Sequence, residues 1–344
     1  MNSSIKTFFP RIAVLALTSV ALAACGGSAD AAKVSGNFNE IAQRATDEGE
    51  LVVYSAATDD VNAALTKAFS AEHPDIKVTM TRLSTGDLRS RFASETTAGA
   101  QSADALIVTD PLLFNEDPQW FVDLTPDVVP NVADVREGYA HKENVALVTS
   151  PWVVTYNTKK ISSGPATWKD LATPGFIKDA TLANPEVSAD SVLSFYQILM
   201  DEYGADYLKA LGEENDDWFD SSVPAVQKVA AGQVALAAPG AKGHSAALVK
   251  SGAPLKVVIP TPVIAYTNLL GVASGAAHPN AAMVFTNFML SAHGQAAFCG
   301  DDLYMSVVKS HVDGCSPTPD GARIADPMRA HKDRDAILSA FKLH

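Results

Sequence analysis

The chain has 344 residues and a formal charge of −13 at pH 7, from 39 Asp and Glu against 26 Lys and Arg. So acidic a surface excludes nucleic acid and anionic lipid as flat binding partners, and it leaves cationic solutes as one class that the charge could steer. About 300 residues beyond the first few dozen are enough for two ordinary domains, and none of their apolar runs is long enough to cross a bilayer.

The first segment is basic, then apolar, then small. Lys6 and Arg11 precede the apolar run from Ile12 to Ala24, no acid interrupts it, and Leu22-Ala23-Ala24-Cys25 closes it. That order reads as an export signal, too short to span a membrane. A cysteine at its end looks like the lipobox of a bacterial lipoprotein, with residues 1–24 removed and Cys25 acylated. An ordinary signal with an accidental cysteine is the plain alternative. Gly26-Gly27-Ser28-Ala29-Asp30 begins a small, polar stretch, and residues 25–45 are expected to form a flexible tether.

The body alternates strands and helices. Leu51 to Tyr54 predicts a strand, and Val61, Leu65 and Phe69 follow at helical spacing behind Thr58 and Asp59. Ile76 to Arg82 alternates as a second strand, Ser84-Thr85-Gly86 opens a helix carrying Leu88 and Phe92, and Ala105 to Val108 is a buried third strand. This order predicts a mostly parallel sheet covered on both faces. A second unit starts after Pro151. It holds a strand over 152–156, a helix through Val192, Tyr196, Leu199 and Tyr203, a short helix over 223–231, and strands over 234–238 and 255–259. A strand over 269–273 and a helix through Phe285 and Met289 then lack a partner unit, so the chain is expected to return to the first. The boundaries are lobe one at 46–150 plus 267–344 and lobe two at 151–266, with crossings near 149–152 and 262–268. Once Cys25 is acylated, Cys299 and Cys315 remain as an even pair, and in an oxidising compartment a structural disulfide is the default.

Seven segments in this order carry a resemblance: GELVVYSA, STGDLRSRFASE, SADALIVTD, SPWVVTYNTKK, NPEVSADS, GQVALAAPGA and HPNAAMVFTNFML. Together they resemble the type 2 periplasmic-binding fold, and within it the ferric-iron-binding-like solute-binding proteins of ATP-driven importers. The resemblance covers nearly all of residues 49–300. It implies an α/β chain of two doubly wound lobes joined by a two-crossing hinge, a monomer without a cofactor that closes on a small-molecule solute. A permease and an ATPase on separate chains would take that solute onward, and no phosphate loop for nucleotide occurs here.

Ligands of open α/β sheets sit beyond the carboxyl ends of the strands. The candidates are therefore Ala56, Thr58, Ser84, Thr85, Gly86 and Asp110 in lobe one, with Ser188, Ala189, Asp190, Pro239, Gly240 and Ala241 in lobe two. Helix N-termini there favour carboxylate, phosphate or phosphonate. Thr58, Ser84, Thr85 and Ser188 could equally be helix caps, and Asp110 and Asp190 either meet an ammonium group or serve as local caps. Arg82 reaches the cleft or pairs on the surface, and Trp152 is an aromatic wall at the hinge or lobe core. Iron-binding relatives carry adjacent tyrosines in the loop after the strand at 234–238, and often a His after the first strand. Here the loop reads Pro239-Gly240-Ala241-Lys242-Gly243-His244, the first loop reads Ser55-Ala56-Ala57-Thr58, and no metal ligands are assigned. The solute expected is an organic anion or zwitterion, with ferric iron or a chelate as the alternative. A tethered sensor would use the same clamshell. An enzyme finds no support in a GxSxG or HExxH motif.

Overall fold

The computed structural model describes residues 34–188, 190–300 and 302–342, so Cys25 and Ala189 lie outside the described residues. Lobe one begins with helix α1 (Phe38–Glu48), inside the stretch expected to be a flexible tether. The expectation fails from residue 38 onward for two reasons. Asn37 and Glu40 form a capping box at the start of α1, and Ile41 and Ala45 are fully buried in the lobe-one core.

Strands and helices then alternate as β1 (Glu50–Ser55), α2 (Asp59–Glu72), β2 (Lys77–Arg82), α3 (Thr85–Thr97), β3 (Ala105–Val108), the short α4 (Leu112–Glu116) and β4 (Val145–Pro151). Every residue of β3 and β4 is buried, whereas β2, at the sheet edge, exposes Lys77, Thr79 and Arg82. The chain crosses directly into lobe two with β5 (Val153–Asn157), α5 (Trp168–Leu171), α6 (Pro174–Ile177), β6 (Ala180–Ala183), α7 (Asp190–Tyr203), α8 (Ala205–Glu214), β7 (Trp218–Phe219), α9 (Ser222–Ala230), β8 (Leu236–Gly240), α10 (Lys242–Lys250) and β9 (Leu255–Val258). It returns through β10 (Ile264–Val272), α11 (Pro279–Met289), α12 (Ala292–Cys299), β11 (Met305–Ser306) and β12 (Arg323–Ile324), and ends in α13 (Pro327–Lys332) and α14 (Arg334–Phe341).

Both sheets are mixed rather than mostly parallel. The lobe-one sheet runs β11-β4-β10-β3-β1-β2, with β12 beside the start of β10. Strands β2 and β3 lie parallel to β1, while β10 is antiparallel to both β3 and β4. The lobe-two sheet runs β7-β6-β8-β5-β9, with β6 parallel to β8 and β5 antiparallel to β8 and β9. The reversed strands have one cause. Strands β5 and β10 each enter a lobe from the other, so they start at the edge where their parallel neighbours end.

Residues 267–344 do not all belong with lobe one. In α13 and α14, Ala330, Ile337 and Phe341 are buried in the lobe-two core, with Phe341 edge-on to Tyr196 at 4.8 Å. Arg329 forks onto Asp201 of α7, and Gln197 donates to Asp333 at 2.7 Å. The C-terminal segment thus makes a third crossing between the lobes. Cys299 and Cys315 form a disulfide, with Cα atoms 5.4 Å apart.

Candidate functional site

Strand register decides which edges face each other. Pro151 pairs with Ala265, and Val108 pairs with Leu269 further along β10, so the carboxyl ends of β3 and β4 point toward the crossings. Val153, the first residue of β5, pairs with Gly240, the last of β8, and β6 runs parallel to β8. The carboxyl edges of β1, β2 and β3 therefore face those of β6 and β8, and the cleft lies between them.

On the lobe-one wall, Ser55 donates to Asn62 at 2.8 Å and accepts from Ala57 N, which fixes the loop Ala56 to Thr58. Thr58 caps α2 by accepting from Val61 N. Ser84 caps α3, accepting from Asp87 N at 3.2 Å and donating to the Asp87 carboxylate at 2.7 Å. Thr85 is held by Thr109, hydroxyl to hydroxyl at 2.9 Å, and also accepts from Thr109 N. This bond ties the end of β2 to the end of β3. A Cβ at Gly86 would meet nothing within 4 Å. Asp110 is buried and accepts from Leu112 N at 3.1 Å. Burial pushes its carboxyl above the ordinary value; the Leu112 N–H and Arg89 pull the other way, and Asp190 and Glu116 add to the rise.

On the lobe-two wall, Ser188 is occupied by the Asn184 carbonyl, to which both its hydroxyl and its N–H donate. Asp190 opens α7 and is backed by the C-terminal helices, with His331 Nδ1 at 3.1 Å and Arg334 at 4.0 Å. Asp110 and Asp190 stand near enough for their charges to interact. Pro239, Gly240 and Ala241 are buried and lead into α10, whose N-terminus has no side-chain cap. The His244 N–H donates to the Ala241 carbonyl at 3.1 Å, and the N–H groups of Lys242 and Gly243 before it keep their capacity to bind an anion. His244 follows on that turn. Burial, then the nearby Arg82 charge, lowers its imidazole pKa, and its shielded Nδ1 has no hydrogen-bond partner among the described residues. Arg82, exposed at the end of β2, has no ion-pair partner among the described residues.

Trp152 is lobe core as well as hinge. Only 6% exposed, it packs on Tyr266 at 4.6 Å and Phe195 at 6.1 Å, while its indole N–H is buried without an acceptor among the described residues. The sequence reading assigned no role to Arg89, Lys242, His331 or Asp302. Lys242 donates across the cleft to the main-chain oxygen of Asp302 at 2.8 Å. An uncapped helix start after a buried strand was the available signal for Lys242; nothing local marks Asp302 as its partner.

A cavity of about 720 Å³ lies beside this cleft rather than in it. Pro111, Tyr139, Asn144, Thr267 and Met328 line it, and none of the sequence candidates does. A shallower groove of about 490 Å³ runs between α2 and β2. Among the described residues no helix is long and apolar enough to cross a membrane, and no group of three or more His, Cys, Asp or Glu side chains could hold a metal ion.

Residues 54–296 match the family described as bacterial extracellular solute-binding protein. The chain belongs to that family. Its fold is the type 2 periplasmic-binding fold, and the family consists of exported binding proteins rather than enzymes. No curated protein matches. Among solved structures, this solute-binding protein is similar to iron-bound HitA from Pseudomonas aeruginosa, at 19% identity and a TM-score of 0.68, over 85% of this chain and 98% of that one. AfuA from Actinobacillus pleuropneumoniae, with fructose-6-phosphate bound, is 18% identical with a TM-score of 0.67, over 86% of this chain and 99% of that one. A periplasmic thiamin-binding protein is 16% identical with a TM-score of 0.65, over 85% and 95%.

Proposed function

We propose that this solute-binding protein is a membrane-tethered lipoprotein that captures a small organic solute bearing an oxyanion and delivers it to an ABC permease. The carrying observation is the uncapped start of α10 beside His244, whose Nδ1 lacks a partner, with the Arg82 charge nearby. Uncapped N–H groups, a neutral imidazole and a guanidinium form a donor set suited to carboxylate, phosphate or phosphonate. Among proteins of this fold, AfuA with its sugar phosphate gives the same kind of head group a precedent.

Ferric iron fits this cleft less well. Hard Fe(III) takes phenolate and carboxylate oxygen, and the loop after β8 carries no tyrosine. Seven of the eight tyrosines have phenols pushed above the ordinary value, burial being the largest cause in each, so their phenolates are costly to form.

A thermal-shift panel of small phosphonates, phosphate esters, carboxylates and ferric ion tests the proposal. A ligand at 100 times its Kd stabilises the native state by about 2.7 kcal/mol, which raises melting by about 5 to 10 °C in a chain of this size. A shift with an oxyanion, lost in Arg82→Ala, supports it. A tight, coloured ferric complex with no shift from any organic anion replaces it with the iron reading.

A further inference from the structure

We propose that the cleft is charged oppositely at its two sides and selects a short zwitterion, its oxyanion at Arg82, His244 and the start of α10, its ammonium group between Asp110 and Asp190. This rests on the function proposed above and narrows it to a solute class.

Topology places the two poles. In lobe one, Arg82 ends β2 and Asp110 follows β3, and these strands flank β1. Two strand spacings, about 10 Å, separate them. In lobe two, Asp190 follows β6 and His244 follows β8, which are neighbouring strands about 5 Å apart. Each wall therefore presents its acid on one side and its base on the other. The sides also correspond across the cleft, since Asp110 feels the Asp190 charge and His244 feels that of Arg82. A ligand with both charges a few bonds apart can satisfy both walls at once.

The acidic side is incomplete without a cation. Asp190 is braced from behind by His331 and Arg334. Asp110 is buried and feels the Asp190 charge, and its one hydrogen bond among the described residues is accepted from Leu112 N. Arg89 on α3 faces Asp110 without an ion-pair contact within 4.0 Å, so it moderates the acid's burial and leaves a carboxylate oxygen open to an ammonium donor.

The test pairs probes that differ only in the amine, 2-aminoethylphosphonate against ethylphosphonate and 4-aminobutyrate against butyrate, titrated calorimetrically into the full folded chain at pH 7.5. In at least one pair the amine-bearing probe is expected to bind at least tenfold more tightly. Asp110→Asn, which keeps an acceptor for Leu112 N, should erase that preference, so that the two members of the pair bind within about twofold of each other. Arg82→Ala should weaken both members of the pair. Equal binding within each pair, or a preference that survives Asp110→Asn, overturns the zwitterion assignment and leaves the oxyanion reading standing. If no probe of either kind binds to protein whose melting is cooperative, both readings fall.

Discussion

Lys242 donates its ammonium proton to the main-chain oxygen of Asp302 at 2.8 Å, joining the start of α10 in lobe two to the loop after α12 in lobe one. Asp302 is itself held, because its carboxylate accepts from Ser316 N and Oγ. The bond thus connects the first turn of α10 to the segment bridged by the disulfide. It is exposed, so it favours lobe closure by only about 0.5 to 1 kcal/mol. Lys242→Met should shift the ligand-free protein toward an open form, seen as a larger radius of gyration in small-angle scattering. An unchanged scattering curve would show that the latch contributes nothing to closure.

The Cys299–Cys315 bridge closes a short loop, with both cysteines buried in the lobe-one core. In the chain-entropy model such a loop is worth about 3 kcal/mol. Cys315→Ser should lower melting by about 6 to 12 °C. Non-reducing peptide mapping of the exported wild type should recover one linked fragment. Free thiols at both positions would reject the bridge.

Where burial is complete, sequence and structure agree closely. The run Ala105 to Val108 is β3 residue for residue, because an all-apolar stretch between polar turns has no competing solution. Thr58 and Ser84 cap α2 and α3 as their positions suggested. Strand β6, Ala180–Ala183, carries a weak sequence signal because Thr181 is its one β-branched residue in a four-residue run, and its burial comes from neighbours far along the chain. Helix α1 has few apolar residues and so reads as a tether, although Asn37 and Glu40 stand at capping-box spacing. The strand-end rule names loops on both lobes as candidates. It could not separate Ser188, spent on the Asn184 carbonyl, from His244, left with an unpartnered nitrogen, since such pairing depends on three-dimensional context.

Helix α1 is structural rather than a leash, and one carboxylate shows why. Glu48 accepts from Asn280 N, Asn280 Nδ2 and Ala281 N, so it caps the start of α11 from another helix. Glu48→Ala should cost about 1 to 3 kcal/mol, because charge-assisted bonds to a helix N-terminus are lost together. Glu48→Gln, which keeps one acceptor, should recover part of it. Denaturant unfolding of both variants decides the matter, and two curves superimposed on the wild type would return α1 to the status of a passive tether.

Cys25 lies outside the described residues, and its acylation is a proposal resting on the run Leu22 to Cys25. Two lipid signals on one terminus supply stable anchoring, where a single chain would not. Cys25→Ser expressed in a bacterial host should move the protein from the membrane to the soluble fraction without changing its melting temperature. Wild-type protein found wholly in the soluble fraction, with an unmodified cysteine, rejects the anchor.

Asp110 gives the fold a pH dependence with a definite sign. Burial raises its carboxyl above the ordinary 3.8, so the native state holds this proton to higher pH than the unfolded chain does. Its contribution to stability is intact below the unfolded value, where both states are protonated, and falls as pH rises through the native value. The ligand-free protein therefore bears a cost at neutral pH for keeping an ionised acid beside Asp190 and Glu116, only partly offset by Arg89. Asp110→Asn should melt higher than the wild type at pH 7, and the gap should close as pH falls toward 4. His331, beside Asp190, is present in both proteins and largely cancels in the difference. Melting curves from pH 4 to 8 on the two proteins measure this directly. A gap that stays constant across the range would mean that Asp110 does not change its charge on unfolding, and the pH argument would fail.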